Sequence, residues 1–301
     1  MTTKSANVLP AMPSHNPRTI AEAIDACRDR LRSVSRTPWL DARLLAQYVT
    51  GLDASAVIAY GDASIDARRR NRLFELTERR ATGEPVAYII GRKSFCGLEI
   101  AVDRRALVPR PETEELVLSC INDWDGGSPI IADIGTGSGA IACALAHLIP
   151  RAQIMASDVS QEALELAAHN VHELGFAEQV TLVHSDLFAQ YPDDARFDIV
   201  IANLPYVAED KLHELHENVR DHEPAEALMG GVDGLDLYRR LLDQAPERTR
   251  QGGALYLECA PGNASVLHSL VVSTFPTAQT EVRKDAAGLE RIVIARSVGA
   301  P

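Results

Sequence analysis

Several patterns that mark metal-binding, membrane or nucleic-acid-binding proteins are missing from this chain of 301 residues. Its five cysteines are scattered without a C-x-x-C pair, so the usual zinc-ligand spacing is absent, and such cysteines fit reduced thiols in a cytoplasm. No apolar run is long enough to span a bilayer, and the sequence shows no signal peptide. We therefore expect a cytoplasmic protein with no metal ion and no membrane partner.

Positive charge is also scarce in this sequence. The formal net charge is −12 at pH 7, whereas a protein that grips a nucleic-acid backbone usually shows a basic face. The densest basic stretch is Arg68–Arg70, with Arg72, Arg79 and Arg80 nearby, and we interpret it as a solvated helix face or a local docking surface. The hydrophobic content of 46% is ordinary for a soluble protein, and the length allows two domains with sizeable cores.

What the chain does contain is the run Asn203-Leu204-Pro205-Tyr206, directly after the apolar segment 197–202. Pro205 fixes its own φ and biases Leu204 toward an extended conformation. The side-chain oxygen of Asn203 and the backbone carbonyl of Leu204 are therefore expected to point at one spot, and Tyr206 offers a flat face for stacking. Two acceptors aimed at one planar NH2 group select an amide or an exocyclic base amine.

A glycine-rich turn lies upstream, between a predicted buried strand at 129–134 and an apolar helix at 140–148. Its residues are Gly135, Thr136, Gly137, Ser138 and Gly139. The spacing differs from the G-x-G-x-x-G of dinucleotide folds, and no Lys-Ser/Thr follows it as a phosphate loop would need. Asp133 stands just before the turn and suits a cationic ligand. S-adenosylmethionine, which carries a sulfonium and an amino group but no phosphate, is the ligand we predict.

Two further strand ends complete the predicted site. Residues 153–157 lead into Asp158, which is placed to accept from both ribose hydroxyls, and residues 180–185 lead into Asp186, which could accept from the adenine amino group. Each aspartate taken alone could instead be a helix N-cap. Because the carboxyl ends of parallel strands lie along one crevice, we expect the glycine turn, both aspartates and Asn203 to line one pocket.

The chain divides into four predicted parts. Residues 1–17 are polar and rich in proline, so we expect a loose N-terminal tail. Residues 18–83 have helical spacing and predict a small helical domain. Residues 84–108 are β-like and predict a β-hairpin linker around Cys96-Gly97. Residues 109–301 alternate helices with strands in the manner of βαβ units and predict the catalytic domain.

Residues that begin or end helices and strands refine the prediction within these parts. Pro38 suits a helix start and Gly51 a helix stop. We expect strands that end near Ile134, Asp158, Asp186, Ala202 and Glu258, followed by an antiparallel pair at 280–283 and 291–295.

Several segments resemble one family, the release-factor glutamine methyltransferases (the HemK/PrmC family). The resemblance runs from about Asp41 to Arg296. It rests on the Gly-Glu-Pro at 83–85, the Pro-Arg-Pro-Glu-Thr-Glu run within 107–114, the cofactor loop at 133–139 and the Asp-Gly-Leu run with Tyr-Arg within 233–239. The second and fourth of these are not generic to methyltransferases, so they carry most weight.

The resemblance implies a seven-stranded, Rossmann-like class I methyltransferase domain of α/β fold, preceded by the helical domain. By the same resemblance, the helical domain at 18–83 would help to dock the protein substrate. It implies methyl transfer from S-adenosylmethionine to the side-chain amide nitrogen (N5) of the glutamine in the Gly-Gly-Gln motif of class-1 peptide chain release factors. By family position, Gly135 to Gly139, Asp158, Asp186 or Leu187, and Asn203 would contact the cofactor, while Asn203 to Tyr206 would hold the glutamine. The family also implies a monomer that acts on a protein rather than on nucleic acid.

One residue departs from the family pattern, because Leu204 stands where the family usually has the first proline of Asn-Pro-Pro-Tyr. The backbone carbonyl of Leu204 can still act as the second acceptor, at some cost in preorganisation. Asn-Leu-Pro-Tyr is also the form found in ribosomal RNA adenine dimethyltransferases. The open alternatives are therefore glutamine methylation of a ribosomal protein, N6-adenine methylation of nucleic acid, and a binding module without catalysis.

The expected mechanism is an in-line displacement at an amide nitrogen, which is a poor nucleophile because its lone pair is delocalised. We expect Asn203 and Leu204 to hold the NH2 so that the lone pair faces the methyl group, and no general base has a clear claim. Arg110 and Glu112 could shape the methionine end of the cofactor or form a structural ion pair.

Overall fold

The computed structural model describes residues 16–124 and 126–298 of the chain. The predicted loose tail lies outside the described residues, apart from its last two. The described residues form two compact units, the first made of 16–91 with 216–222 and the second of 92–215 with 223–298. Within the described ranges, every helix falls short of the length and apolarity needed to cross a membrane.

The described residues contain α-helices in both units. They are α1 (Ile20–Leu31), α2 (Pro38–Thr50), α3 (Ala54–Ala59), α4 (Ala67–Ala81), α5 (Val86–Ile90), α6 (Pro111–Asp123), α7 (Ala140–Leu148), α8 (Gln161–Glu173), α9 (Glu217–Arg220), α10 (Asp236–Arg248) and α11 (Ala264–Thr274), with short 3-10 helices at Glu209–Glu214, Ala225–Ala227 and Pro261–Asn263. Pro38 is the first residue of α2, and Gly51 ends it with a φ of 73°, as predicted.

The first unit is helical and contains α1 to α5 and α9. Its core lies among α1 to α5. The buried apolar side chains that form this core include Ile24, Leu45, Leu73 and Leu76. Arg80 is also buried, and its Nε lies 2.6 Å from Oδ2 of Asp41. The prediction of a solvated basic face is therefore wrong for Arg80, because the pattern of charges along a helix does not show which arginine finds a buried carboxylate.

The second unit contains a hairpin and a seven-stranded sheet. Its strands are β1 (Arg92–Phe95), β2 (Leu98–Ala101), β3 (Ile130–Ile134), β4 (Gln153–Asp158), β5 (Val180–His184), β6 (Phe197–Ala202), β7 (Thr249–Glu258), β8 (Gln279–Lys284) and β9 (Glu290–Val298). The sheet order is β5-β4-β3-β6-β7-β9-β8, with β3 to β7 parallel and β8 and β9 antiparallel to their neighbours. The predicted fold class is confirmed.

The structure differs from the prediction in two details. The strand expected to reach Asp186 ends at His184, so Asp186 stands in the loop that follows β5. Part of the stretch predicted as β-like, Val86–Ile90, is the helix α5, which follows Pro85 and ends at Gly91 with a φ of 78°. A proline before a short apolar segment and a glycine after it are stronger local signals than the β-branched content of that segment.

Helices flank the sheet, and its topology creates a crevice. Helices α6, α7 and α8 contact one another in sequence, and α10 and α11 form a separate contacting pair. Strand β3 lies between β4 and β6. The strands that follow β3 in the chain are first added on one side of it, as β4 and β5, and then on the other side, beginning with β6. Ligands of open α/β sheets bind at the carboxyl ends of the strands at such a switch point.

Candidate active site

One cavity opens at the carboxyl ends of the parallel strands, and it brings together residues far apart in the sequence. Most of the predicted site residues line it, namely Gly135, Thr136, Gly137, Ser138, Asp158, Asp186, Leu187, Asn203, Leu204 and Pro205. Gly139 and Tyr206 are not among the lining residues. Gly139 is the N-cap of α7, and a Cβ at this position would lie 3.1 Å from the Cβ of Ala167.

The glycine turn lets the backbone of β3 approach the Asn-Leu-Pro-Tyr run. Gly135 has a φ of 75°, and a Cβ there would lie 2.8 Å from Cδ2 of Leu204. Asn170 of α8 stabilises the turn. Its Nδ2 donates to the carbonyl of Ser138 at 2.8 Å and to that of Ala101 at 2.9 Å. One buried amide therefore joins the turn, α8 and the hairpin.

Asp133, which the sequence suggested would face a cationic ligand, is fully buried and does not line the cavity. Its Oδ2 accepts from the hydroxyl of Thr136 at 2.6 Å, whereas Oδ1 has no hydrogen-bond partner among the described residues. Burial raises the pKa of the Asp133 carboxyl to about 7. Asp133 therefore supports the turn from behind.

Asp158 does line the cavity, at the end of β4. Its Oδ2 accepts from the backbone N–H of Gly137 at 2.8 Å and its Oδ1 from that of Ser160 at 2.9 Å. Burial raises the pKa of Asp158. The N-cap of α8 is Ser160, so the alternative reading of Asp158 as that cap is wrong. Each carboxylate oxygen has a second lone pair, and these can accept hydroxyls in the cavity.

Asp186 lies on the cavity wall and is half exposed. Its Oδ2 forms an ion pair with Nη2 of Arg240 at 2.7 Å. The next residue, Leu187, is buried and has a φ of 52°, which turns the chain sharply after β5. No helix begins at Asp186 within the described ranges, so the N-cap reading does not apply here either.

The Asn-Leu-Pro-Tyr run is held by side chains from three other segments. Nδ2 of Asn203 donates to Oγ1 of Thr113 at 2.9 Å, and Oδ1 of Asn203 accepts no hydrogen bond from the described residues. The N–H of Leu204 donates to Oη of Tyr238 at 3.1 Å. The single proton of Tyr238 goes to the nearer carbonyl of Glu258, so the Leu204 carbonyl, 3.4 Å away, keeps its lone pairs. Oη of Tyr206 donates to Oε1 of Glu258 at 3.4 Å.

Two of the motif segments pack against this run. A Cβ at Gly234 would lie 2.3 Å from the carbonyl oxygen of Tyr206, so only glycine allows this approach. Nη2 of Arg110, a cavity residue, lies 2.6 Å from Oε1 of the buried Glu223. Glu112 lies 3.6 Å from Arg291 and does not line the cavity. Both residues thus form ion pairs, and only Arg110 also faces the ligand space.

Comparison with known proteins identifies the family. A model described as PrmC N-terminal domain matches residues 22–91, and one described as methyltransferase small domain matches residues 113–221. The release factor glutamine methyltransferase of Rhodopirellula baltica is 38% identical over 92% of this chain and 96% of its own length. That of Bradyrhizobium diazoefficiens is also 38% identical, over 89% of this chain and 92% of its own length. The chain belongs to the release factor glutamine methyltransferase family.

A solved structure agrees with the fold of this family member. A methyltransferase from Pyrococcus furiosus matches with a TM-score of 0.51 and 20% identity, and the match covers 67% of this chain and 89% of that one. At this level of identity the match shows the fold alone. Within the described residues, no cluster of His, Cys, Asp and Glu is arranged to hold a metal ion.

Sequence reasoning missed four residues that hold the site of this methyltransferase. Thr113 and Tyr238 stand inside motifs that the sequence singled out, but the motifs gave no indication of what these side chains contact. Glu258 was noted only as the end of a strand, and Asn170 was not noted. One weak signal was available for Glu258. It ends an apolar strand, and a glutamate at such a position is expected to be buried.

Proposed function

We propose that this protein transfers a methyl group from S-adenosylmethionine to the side-chain amide nitrogen (N5) of the glutamine in the Gly-Gly-Gln motif of class-1 peptide chain release factors. The observation that carries the proposal is the orientation of Asn203. Its Nδ2 is bound to Thr113, so its Oδ1 is left as an acceptor at the edge of the cavity. The names of the curated relatives point to the same substrate.

The residues that line the cavity fit the cofactor. Gly135 and Gly137 let a ligand approach their backbone closely. Asp158 and Asp186 offer carboxylate oxygens for ribose hydroxyls and an adenine amino group, and Leu187 offers an apolar surface for a ring. When bound, S-adenosylmethionine supplies an electrophilic methyl group on its sulfonium.

The chain's own part in the reaction is to hold the substrate amide. Oδ1 of Asn203 and the carbonyl of Leu204 would each accept one hydrogen of the glutamine NH2, so that the nitrogen lone pair is turned toward the methyl group. The same two oxygens would stabilise positive charge as it grows on the nitrogen. The bond from nitrogen to the methyl carbon would form as the bond from that carbon to the sulfonium sulfur breaks, so that a neutral thioether leaves. The nitrogen would then lose one of its two protons to solvent, which leaves a neutral secondary amide.

Roles for the parts of the chain follow from this function. We assign docking of the release factor to the helical residues 18–83, a linking role to residues 84–108 and methyl transfer to residues 109–301. We also propose that the enzyme acts as a monomer, as the family resemblance implies.

The test is mass spectrometry of a purified release factor after incubation with this protein and S-adenosylmethionine. We expect one added methyl group, which peptide mapping places on the glutamine of the Gly-Gly-Gln peptide. The matched control is the same release factor with alanine at that glutamine, which should stay unmodified. Equal methylation of both release factors would overturn the assignment of the acceptor.

A further inference from the structure

The second acceptor for the substrate amide is the backbone carbonyl of Leu204, so its direction depends on the backbone torsions of that residue. Pro205 restricts the ψ of Leu204, because the proline ring crowds the residue before it. The φ of Leu204 has no such restriction, whereas a proline at this position would fix φ at about −65°. Leu204 also has a backbone N–H that a proline lacks, and because the residue is buried this N–H needs an acceptor.

The hydroxyl of Tyr238 lies close to Leu204 on both sides of this torsion. The N–H of Leu204 donates to Oη of Tyr238 at 3.1 Å, and the carbonyl oxygen of Leu204 lies 3.4 Å from the same Oη. Rotation about the N–Cα bond of Leu204 would move the carbonyl oxygen relative to the N–H. One fixed oxygen atom that is near both groups therefore limits this rotation, as the ring of a proline does.

Tyr238 is itself held in one place. It lies in the first turn of α10, is fully buried and belongs to the same core cluster as Leu204. Its hydroxyl donates to the backbone carbonyl of Glu258. Burial raises the pKa of Tyr238 well above its ordinary value, so the hydroxyl keeps its proton. The oxygen that accepts from Leu204 is therefore fixed by the core and by a second backbone group.

This hydroxyl stands where β6 and β7 separate. The paired residues of the two strands end with Ala202 opposite Leu257. The N–H of Leu204 and the carbonyl of Glu258 lie just beyond, and the hydroxyl of Tyr238 accepts from the first and donates to the second. The inserted hydroxyl satisfies both backbone groups while the Asn-Leu-Pro-Tyr run leaves the sheet.

We propose that the hydroxyl of Tyr238 positions the carbonyl of Leu204 for the substrate amide, and so supplies the constraint that a proline ring at 204 would supply. Tyr238 is a positioning residue in this scheme, because it acts through Leu204 and is not among the residues that line the cavity. The proposal rests on the proposed function for its substrate, but the contact between Tyr238 and Leu204 is a property of the free protein.

The first experiment compares Tyr238→Phe with Tyr191→Phe. Each variant loses one buried tyrosine hydroxyl from the same core, and that of Tyr191 donates to the carbonyl of Met155 at 3.2 Å. We expect Tyr238→Phe to lower kcat by roughly tenfold to a hundredfold, as a small misplacement of a reacting group does, with little change in cofactor affinity. Tyr191→Phe should retain kcat within about threefold of the unmodified enzyme. Equal kcat values for the two variants would overturn the proposal.

The second experiment asks whether the hydroxyl acts through Leu204. Tyr238→Phe is repeated together with Leu204→Pro, which removes the N–H that the hydroxyl holds and fixes φ by its ring. The resulting double-mutant cycle measures the coupling between the two positions whatever Leu204→Pro does alone. In the presence of Leu204→Pro we expect Tyr238→Phe to lower kcat by about threefold or less. A loss as large as in the unmodified chain would overturn the proposal, because the hydroxyl would then act independently of Leu204.

Hydrogen exchange of the free protein separates this proposal from the proposed function. The amide signal of Leu204 is assigned, in protein with isotope-labelled leucine and valine, by its absence in Leu204→Pro. Relative to the amide of Val200 in β6, we expect this amide to exchange slowly in the unmodified protein and in Tyr191→Phe, and about tenfold or more faster in Tyr238→Phe. Equal exchange in all three would overturn the positioning role, even if release factors are methylated. Exchange that depends on Tyr238, without any methylation, would instead contradict the proposed substrate.

Discussion

The two units differ in whether they leave any buried carboxylate without a cationic partner. In the helical unit the buried Asp41 is matched by the buried Arg80, and the hydroxyls of Ser35 and Thr37 also donate to it. In the catalytic unit the buried Asp133 and Glu258 form no salt bridge with any described residue, and each has one oxygen without a partner.

This difference affects the stability of the two units in opposite ways. A paired buried charge specifies packing, and its removal leaves the partner uncompensated. An unpaired buried carboxylate weakens the fold near neutral pH and is retained where the chemistry needs it. Asp133 stands behind the glycine turn, and Glu258 stands behind the Asn-Leu-Pro-Tyr run. The unpaired carboxylates of the second unit therefore mark its active site, whereas the paired charges of the first unit mark its core.

The largest expected effect is a loss of turnover on substitution of Asn203, which lies in the second unit. Asn203→Ala should abolish turnover, because one of the two acceptors for the substrate NH2 is lost, while cofactor binding survives at least in part. Turnover is measured by methyl incorporation, and cofactor binding by calorimetry on the same preparation. Turnover like that of the unmodified enzyme would contradict the role of Asn203.

The next effect is on the stability of the first unit. Arg80→Met should lower the free energy of unfolding by about 3–5 kcal/mol, because Asp41 is left buried and unpaired. The double variant Asp41→Asn with Arg80→Met should recover most of this loss in denaturant titrations.

The matched control for that experiment is Glu75→Gln, which breaks the ion pair of Glu75 with Arg72. Both side chains are exposed, 45% for Arg72 and 61% for Glu75, so the loss should be about 1 kcal/mol or less. Equal losses for Arg80→Met and Glu75→Gln would remove the contrast between a buried pair and a surface pair.

A smaller effect, on binding, is expected at Asp158. Asp158→Ala should weaken cofactor binding roughly tenfold or more, since hydrogen bonds to a charged group contribute about 1.5–3 kcal/mol. Calorimetric titration with S-adenosylmethionine measures this directly. An unchanged affinity would refute the ribose role of Asp158 and leave it as a support of Gly137.

A further effect is expected in the slope of stability with pH. The folded pKa of Asp133 is raised from 3.8 to about 7, so between these values the folded state binds more protons than the unfolded state. Stability from this group is present below pH 3.8 and is lost as pH rises through 7. The stability of Asp133→Asn relative to the unmodified protein should therefore rise between pH 5 and 8. The exposed Asp62→Asn serves as the control and should show no such trend.

Much of the architecture could be predicted because its signals are local. Apolar segments followed by glycine, aspartate or asparagine indicated the strands β3, β4 and β6, and a parallel arrangement predicted that their ends lie together. The run at 203–206 stood out because proline and asparagine restrict the backbone in known ways.

The contacts that orient the site could not be predicted because they join distant segments. Thr113 and Asn203 are 90 residues apart in the sequence, and Arg80 and Asp41 are 39 apart. No periodicity or spacing relates such pairs; only the packed fold shows them. The prediction that Asp133 faces the ligand was wrong for the same reason, since an aspartate at the end of a strand can face either the ligand or the core.

The central claim is that this site is built for a glutamine amide of a release factor. The most direct test is a competition in which the enzyme and S-adenosylmethionine meet a release factor, total ribosomal protein and ribosomal RNA in one mixture. Mass spectrometry then maps every new methyl group. The account predicts early methylation at the Gly-Gly-Gln glutamine of the release factor alone. Preferential methylation of an RNA adenine, or of a ribosomal-protein glutamine, would contradict it.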